Sequence, residues 1–269
     1  MDLNAYQTGK LECIGVSQLD NAAQREQRSM PAAPSPRRGA DPSHSASILR
    51  FPDSQFASGE LRAALARMGR TVALKRAMDI VVASAALVLL SPALLIVAGL
   101  IRLTSAGPAI FRQRRTGQDG KEFVIFKFRT MYSELQDVSG VKHTVQDDPR
   151  VTAIGRFLRK YSIDELPQLA NVLWGDMSIV GPRAHAVGML ALGVPYDQFV
   201  RDYDLRHLVK PGLTGQAQVK GYRGEVCDEA HARGRIAEDL DYVRNLSLWR
   251  DVKIMALTLP AVISGKSAF

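Results

Sequence analysis

Two adjacent carboxylates, Asp164 and Glu165, stand in the run GRFLRKYSIDELPQLANVLWGDMSIVGPR, residues 155–183. Arg156, Arg159 and Lys160 precede them, and Arg183 follows after a Gly-Pro step. Acid beside clustered base is what phosphate chemistry with a metal ion needs. One oxygen reacts or binds a cation, and guanidinium groups hold phosphates. The same residues also fit a plainer task. Ser162-Ile163-Asp164-Glu165 matches the capping-box pattern, in which one carboxylate caps a helix and the other complements its dipole. Spacing alone leaves capping ahead. The two tasks are compatible, because a helix N-terminus also stabilises phosphates and anionic nucleophiles. A carboxylate among several arginines is expected to have a low pKa and to stay ionised. That suits a nucleophile or a Mg²⁺ ligand better than a general acid.

The pair needs elements to hold it. Pro167 must fall in the first turn of a following helix, since deeper it would break that helix. Leu166, Leu169, Ala170 and Leu173 give this helix an apolar face, and Gly175 stops it. Upstream, Val151–Tyr161 reads as a short helix with Ile154, Phe157 and Leu158 on one face. Ala109–Arg115 and Glu122–Arg129 flank Gly117-Gln118-Asp119-Gly120 and read as a β-hairpin. Lys127 and Arg129 share one parity, opposite to Phe126 and Phe128, so this strand offers a cationic face suited to an anion. An edge strand protected by charge would look the same. Asp147-Asp148 could bind a metal, although surface loops commonly carry such pairs.

The remaining sequence points to a membrane. Residues 1–60 are rich in Pro, Ser and Ala and read as a solvated tail. Leu61, Leu65, Met68 and Val72 then mark one helix face, ringed by Arg62, Arg67, Arg70, Lys75 and Arg76. Ile80 to Ile101 carries no charge and would make roughly 33 Å of helix, against about 30 Å of bilayer hydrocarbon. Ser91-Pro92 lies at its centre, where proline removes a backbone hydrogen bond. Basic residues flank both ends: Lys75 and Arg76 before, Arg102, Arg112, Arg114 and Arg115 after. Positive residues stay on the cytoplasmic side, so these flanks favour a re-entrant helix broken at Ser91 and Pro92. A simple span and a buried soluble helix remain the alternatives. The Ser91 hydroxyl is expected to satisfy a carbonyl freed at the break.

The net charge of +8 favours anionic partners. The basic residues cluster beside an apolar segment and no nucleic-acid-binding motif is present, which argues against a nucleic-acid binder. Cys13 and Cys227 match no metal spacing and suggest a reducing compartment. No signal peptide is evident, which places the catalytic body in the cytosol. Ala230–Phe269 reads as helices whose apolar surface, with Trp249, fits an interfacial site, the core or a homodimer contact. His185 and His207 are candidate phosphate contacts, although lone histidines are more often structural.

Three ordered motifs, KFRTM (127–131), SIDELPQLANVLWGDMSIVGPR (162–183) and VKPGLTGQAQVKGYRGE (209–225), closely resemble the bacterial sugar transferases. These are the monotopic polyprenyl-phosphate hexose-1-phosphate transferases, and the resemblance runs from about Leu74 to Lys266. It implies transfer of a phosphosugar from a UDP-sugar to undecaprenyl phosphate with release of UMP. It also implies a re-entrant helix broken at Ser-Pro, here Ser91-Pro92. In this resemblance Asp164 is the nucleophile and forms a phosphosugar–enzyme intermediate. Glu165 matches a Mg²⁺-binding carboxylate, and Lys127, Arg129, Arg156 and Arg183 match basic positions near the substrate phosphates. VGPRAHAV and the RGE at 223–225 look most like the exopolysaccharide-initiating branch, with glucose or galactose donors. Gln216 departs from the family, standing where Trp is usual.

The expected fold class is thus α+β, mostly helical, in three parts. They are a tail (1–60), a basic amphipathic helix with a re-entrant membrane helix (61–103), and a cytosolic catalytic domain with a β-hairpin and amphipathic interfacial helices (104–269). The expected location is the cytoplasmic face of the bacterial inner membrane, in contact with its lipid. A non-catalytic membrane-surface scaffold or regulator is the competing expectation. It predicts no Mg²⁺ dependence and no UMP release.

Overall fold

The computed structural model describes residues 58–136, 147–200, 202–224, 226 and 228–264. The expected tail, apart from its last three residues, lies outside the described residues, as do both cysteines and Glu225. The fold is mostly helical, with three two-stranded sheets among the described residues. Helix α1 (Ser58–Arg67) leads through a turn at Met68 into α2 (Gly69–Thr104), a single helix of 36 residues. Strands β1 (Ile110–Thr116) and β2 (Glu122–Phe128) form the expected antiparallel hairpin. Helix α3 (Ala153–Lys160), a 3-10 turn (Ile163–Glu165) and α4 (Gln168–Trp174) follow.

Strand β3 (Ser178–Val180) pairs in parallel with β6 (Gly212–Thr214). Between them lie the short hairpin β4 (Leu190–Ala191) and β5 (Val194–Pro195), helix α5 (Tyr196–Phe199) and a 3-10 segment (Tyr203–Leu208). Helices α6 (Gln216–Val219), α7 (Glu229–Arg244) and α8 (Leu248–Ile263) complete the body.

Helix α2 continues through Ser91-Pro92 as one helical element from Gly69 to Thr104. Proline removes the hydrogen bond that the Val88 carbonyl would have accepted. The Ser91 hydroxyl donates to that carbonyl at 2.9 Å. The side chain replaces the lost bond, as anticipated, and the ladder resumes on the far side.

Both halves of α2 touch the same body. Ala83 belongs to the main core, with Val82, Ala86 and Leu87 packed against it. Ile101 anchors a second cluster with Ala109, Phe128 and Leu158, joined by Leu94, Val97, Ala98, Ile110 and Ile163. The opposite side of α2 is bare: Val88, Leu89 and Leu103 are 76%, 79% and 85% exposed. It is the one helix among the described residues long and apolar enough to cross a membrane.

Lys75 and Arg76, the basic residues that flank the apolar run on its N-terminal side, are not surface charges, whereas Arg62, Arg67 and Arg70 are exposed. Lys75 is buried and donates to Asp251 Oδ2 at 2.8 Å and to the Val180 carbonyl at 2.9 Å. Tyr242 donates to the other Asp251 oxygen at 2.7 Å. Asp79, also buried, accepts from Ser178 Oγ and the Ile179 amide. Arg76 donates to the carbonyls of Val172 and Leu173 at the C-terminus of α4, where positive charge complements the helix dipole. These contacts fix the first turns of α2 onto α4, β3 and α8.

Helix α8 divides its two faces. Asp251 and Ile254 are buried, whereas Trp249 and Leu259 are 77% and 63% exposed. Core packing thus describes only one side of it.

Candidate active site

Asp164 and Glu165 sit in the 3-10 turn between α3 and α4. The capping box does not form. Ser162 adopts the left-handed conformation (φ 54°, ψ 23°) and its side chain caps nothing. Pro167 enters α4 with φ −60°, and Gly175 ends it in the left-handed region, its amide bonded to the Asn171 and Val172 carbonyls. The turn and stop expected from the sequence are therefore present, while both carboxylates are left for other work.

Glu165 is gripped from two sides. Its Oε1 accepts from Lys127 Nζ at 2.7 Å and from Arg183 Nη2, and its Oε2 accepts from Arg183 Nη1 at 3.1 Å. Lys127 comes from β2. Arg183 comes from the Gly181-Pro182-Arg183 turn after β3. That turn is fixed by very close backbone packing: a Cβ on Gly212 would lie 2.1 Å from the Gly181 nitrogen. The Gly181 amide donates to the Thr214 carbonyl, and the Gly212 amide to the Pro182 carbonyl, each at 2.9 Å. Behind it, Arg206 donates to the Arg183 carbonyl at 2.6 Å and forms a buried pair with Asp239.

Asp164 is only 8% exposed, and among the described residues nothing donates a hydrogen bond to its carboxylate. The two acids therefore diverge. Burial, then the neighbouring Glu165 charge, pushes Asp164 up to about 6; Lys127, Arg159 and Arg183 oppose the shift without cancelling it. Glu165 pays the burial penalty too, but Arg183 and Lys127 outweigh it and hold its carboxyl well below the usual range. The low pKa expected of both residues holds for Glu165 alone. Cations reach both acids, but only Glu165 receives their hydrogen bonds.

Two basic positions fall elsewhere. Arg129 leaves the strand after Phe128 and donates to the carbonyls of Ile101, Ser105 and Ala106, so its buried guanidinium closes the end of α2. Arg156 is exposed on α3 and makes none of the contacts around the acidic pair. Two unassigned arginines take up positions there. Arg159, bonded to Thr130 Oγ1 at 2.8 Å, interacts electrostatically with Asp164. Arg115 donates to the Ala184 carbonyl at 3.2 Å and to Gln113, and burial beside Arg183 brings it down to about 10. It shares a hairpin face with Lys127, since Arg115 pairs with Phe123 and Lys127 with Phe111. Strand parity along β1, together with the hairpin register, would have found it. The three-residue step from Arg156 to Arg159 would have found the other only with the turn geometry in hand.

Asp148 is spent on Arg150, at 2.6 Å, rather than offered to a metal. His185 is buried, bonded to Tyr203 at 2.9 Å and stacked among Tyr196 and Tyr203, and His207 packs edge-on against Tyr203. Both histidines are structural parts of the layer behind Arg183. No group of three or more His, Cys, Asp or Glu suited to a metal occurs among the described residues. Asp164 and Glu165 still suit Mg²⁺, which is commonly held by one or two carboxylates together with substrate phosphates. Among the described residues the Asp164 oxygens receive no donor, and Glu165 Oε2 accepts one hydrogen bond.

Chemically, the site is two acids ringed by Lys127, Arg183, Arg159 and Arg115. Its positive excess matches a diphosphate, and one carboxylate is unencumbered.

Comparison with known proteins agrees with this chemistry. A family model described as bacterial sugar transferase matches residues 70–265. Exopolysaccharide production protein PSS of Rhizobium leguminosarum bv. phaseoli is 50% identical over 196 residues, covering 73% of this chain and 98% of that protein. UDP-glucose:undecaprenyl-phosphate glucose-1-phosphate transferase of Escherichia coli (strain K12) is 48% identical over 196 residues, 73% of this chain but 41% of that protein. UDP-N-acetylgalactosamine-undecaprenyl-phosphate N-acetylgalactosaminephosphotransferase of Aeromonas hydrophila is 41% identical over 198 residues, 72% of this chain and 45% of that protein. The chain thus spans less than half the length of the last two.

Proposed function

The chain belongs to the bacterial sugar transferase family and is a transferase, and from that premise we propose that it moves a hexose-1-phosphate from a UDP-sugar to undecaprenyl phosphate, releasing UMP. The observation that carries this reading is the unencumbered Asp164 carboxylate beside a Glu165 locked by Lys127 and Arg183. UDP-glucose is the first donor to test, by analogy with the Escherichia coli relative.

Asp164 is the nucleophile. An Asp164 oxygen attacks the sugar-bearing phosphorus, an Asp–O–P bond forms, and the bond from phosphorus to the UMP oxygen breaks. UMP leaves with the electron pair. An oxygen of undecaprenyl phosphate then attacks the same phosphorus and releases the Asp164 carboxylate. An upward-shifted pKa makes Asp164 a more basic nucleophile that is still ionised above pH 6. Lys127, Arg183, Arg159 and Arg115 hold the diphosphate and take up charge on its equatorial oxygens. Glu165 would hold Mg²⁺, which would supply further neutralisation of the diphosphate.

The lipid acceptor has to be met at a membrane surface. Both halves of α2 pack on the same body while its other side stays bare. This supports a helix that enters and leaves by one face, with the body at the cytoplasmic surface of the inner membrane. Surface glycan initiation, such as exopolysaccharide synthesis, is the biological role that this reaction fits.

The test is incubation of the purified chain with undecaprenyl phosphate, Mg²⁺ and a panel of UDP-sugars, following UMP. Release of UMP with one donor, and a phosphosugar adduct on Asp164, is expected. Absence of UMP with every donor would remove the proposal. An adduct that persists in Asp164→Asn would remove the nucleophile assignment.

A further inference from the structure

A groove of about 800 Å³ lies between the last turns of α2 and the start of β1. Its floor is apolar, made by Leu95, Ala98, Gly99, Ile110 and Phe111, and no acidic residue lines it. Arg102 and Arg112 stand on its rim. Both are exposed, and among the described residues neither has a hydrogen bond or a carboxylate partner. Arg112 only lies over the Phe126 ring, 5.6 Å from its centre. The third arginine of the lining, Arg129, is already committed to the end of α2.

We propose that this groove seats an anionic phospholipid of the bilayer, its phosphate between Arg102 and Arg112 and its acyl chains along α2. The chemistry is complementary: two unpaired guanidinium groups at the mouth suit a phosphodiester. The apolar floor continues onto Leu95 and Leu103, which are 74% and 85% exposed. Gly99 keeps the floor open, since a Cβ there would meet nothing within 4 Å.

The occupant is not the reacting lipid phosphate. In the hairpin register Arg112 pairs with Phe126 and Lys127 pairs with Phe111, so Arg112 and Lys127 point to opposite faces. Arg112 therefore faces away from the Lys127–Glu165 contact, while Phe111 of the floor shares the Lys127 face. The inference rests on the reading that α2 enters a membrane.

The test uses the full chain with phosphatidylcholine vesicles and with mixed phosphatidylcholine–phosphatidylglycerol vesicles, followed by native mass spectrometry of the retained lipid. Phosphatidylglycerol should be retained over phosphatidylcholine by at least about tenfold, and high salt should weaken the preference. The preference should vanish in the Arg102→Gln/Arg112→Gln double variant and in Gly99→Leu, which fills the floor. Both variants should still bind vesicles and release UMP. Equal retention of the two lipids, or a preference that survives both variants, overturns the phospholipid seat while leaving the membrane reading intact. Displacement of phosphatidylglycerol by stoichiometric undecaprenyl phosphate overturns it in favour of an acceptor site. Failure to bind either vesicle overturns the membrane reading and the seat together.

Discussion

The Arg206 guanidinium holds the backbone carbonyl of Arg183 at 2.6 Å while Asp239 neutralises it from behind. Arg183 in turn grips Glu165, so a buried ion pair outside the site sets the position of a residue inside it. Replacing Arg206 by Ala leaves the buried Asp239 without its partner and should cost about 3–5 kcal/mol. Arg206→Met with Asp239→Leu should recover most of that stability, because an apolar pair of similar volume can substitute for a buried ion pair. It should not restore turnover, because the Arg183 carbonyl loses its donor. Denaturation midpoints alongside UMP release separate the two effects.

Asp164→Asn should lower UMP release by at least about 10³-fold. It should not destabilise the fold. An amide removes a charge that is buried and repelled by Glu165, so stability at pH 7 should stay level or rise by about 1–3 kcal/mol. A thermal melt showing a large loss would mean that Asp164 has a structural partner.

In protein free of substrate and divalent cation, carboxyl-resolved NMR should show Asp164 titrating near pH 6 and Glu165 well below 4.5. The sign for Asp164 follows from burial and like charge, both of which favour the protonated form. In Glu165→Gln the like charge is gone and Lys127 and Arg183 lose their bound carboxylate. The Asp164 pKa should then fall.

His185 and His207 predict a pH-dependent stability. Burial, and then Arg206, keeps His185 well below its usual pKa and brings His207 down to about 4. The unfolded chain takes up protons near pH 6.5 while the folded chain does not. Their contribution is therefore complete above pH 6.5 and is lost as pH falls from there toward 4, at about 1.4 kcal/mol per pH unit for each histidine. Denaturant midpoints of wild type and His207→Asn across this window should converge at low pH.

Features set by neighbouring residues were legible in the sequence. The hairpin, the entry of α4 at Pro167, its stop at Gly175 and the Ser91 hydroxyl bond all follow from local chemistry. The Asp164-Glu165 pair was visible as well, but the roles of its neighbours were not. Arg129 shares the parity of Lys127, yet the strand ends one residue before it and frees its guanidinium for α2. Arg115 faces the site only through cross-strand register, and Arg159 only through the left-handed turn at Ser162. Lys75 looked like a membrane-flanking charge because its partner, Asp251, lies 176 residues away. The pKa split between the two acids was hidden for the same reason: it depends on which of them the cations touch.

The Lys75–Asp251 and Asp79–Ser178 contacts have a consequence for substrate choice. They weld the first turns of α2 to the same framework that carries Arg183 and Glu165. With the bare flank of α2 immersed as proposed, Asp164 rides at one fixed altitude above the hydrocarbon. A phosphate is then selected by how high it floats as much as by what it is attached to.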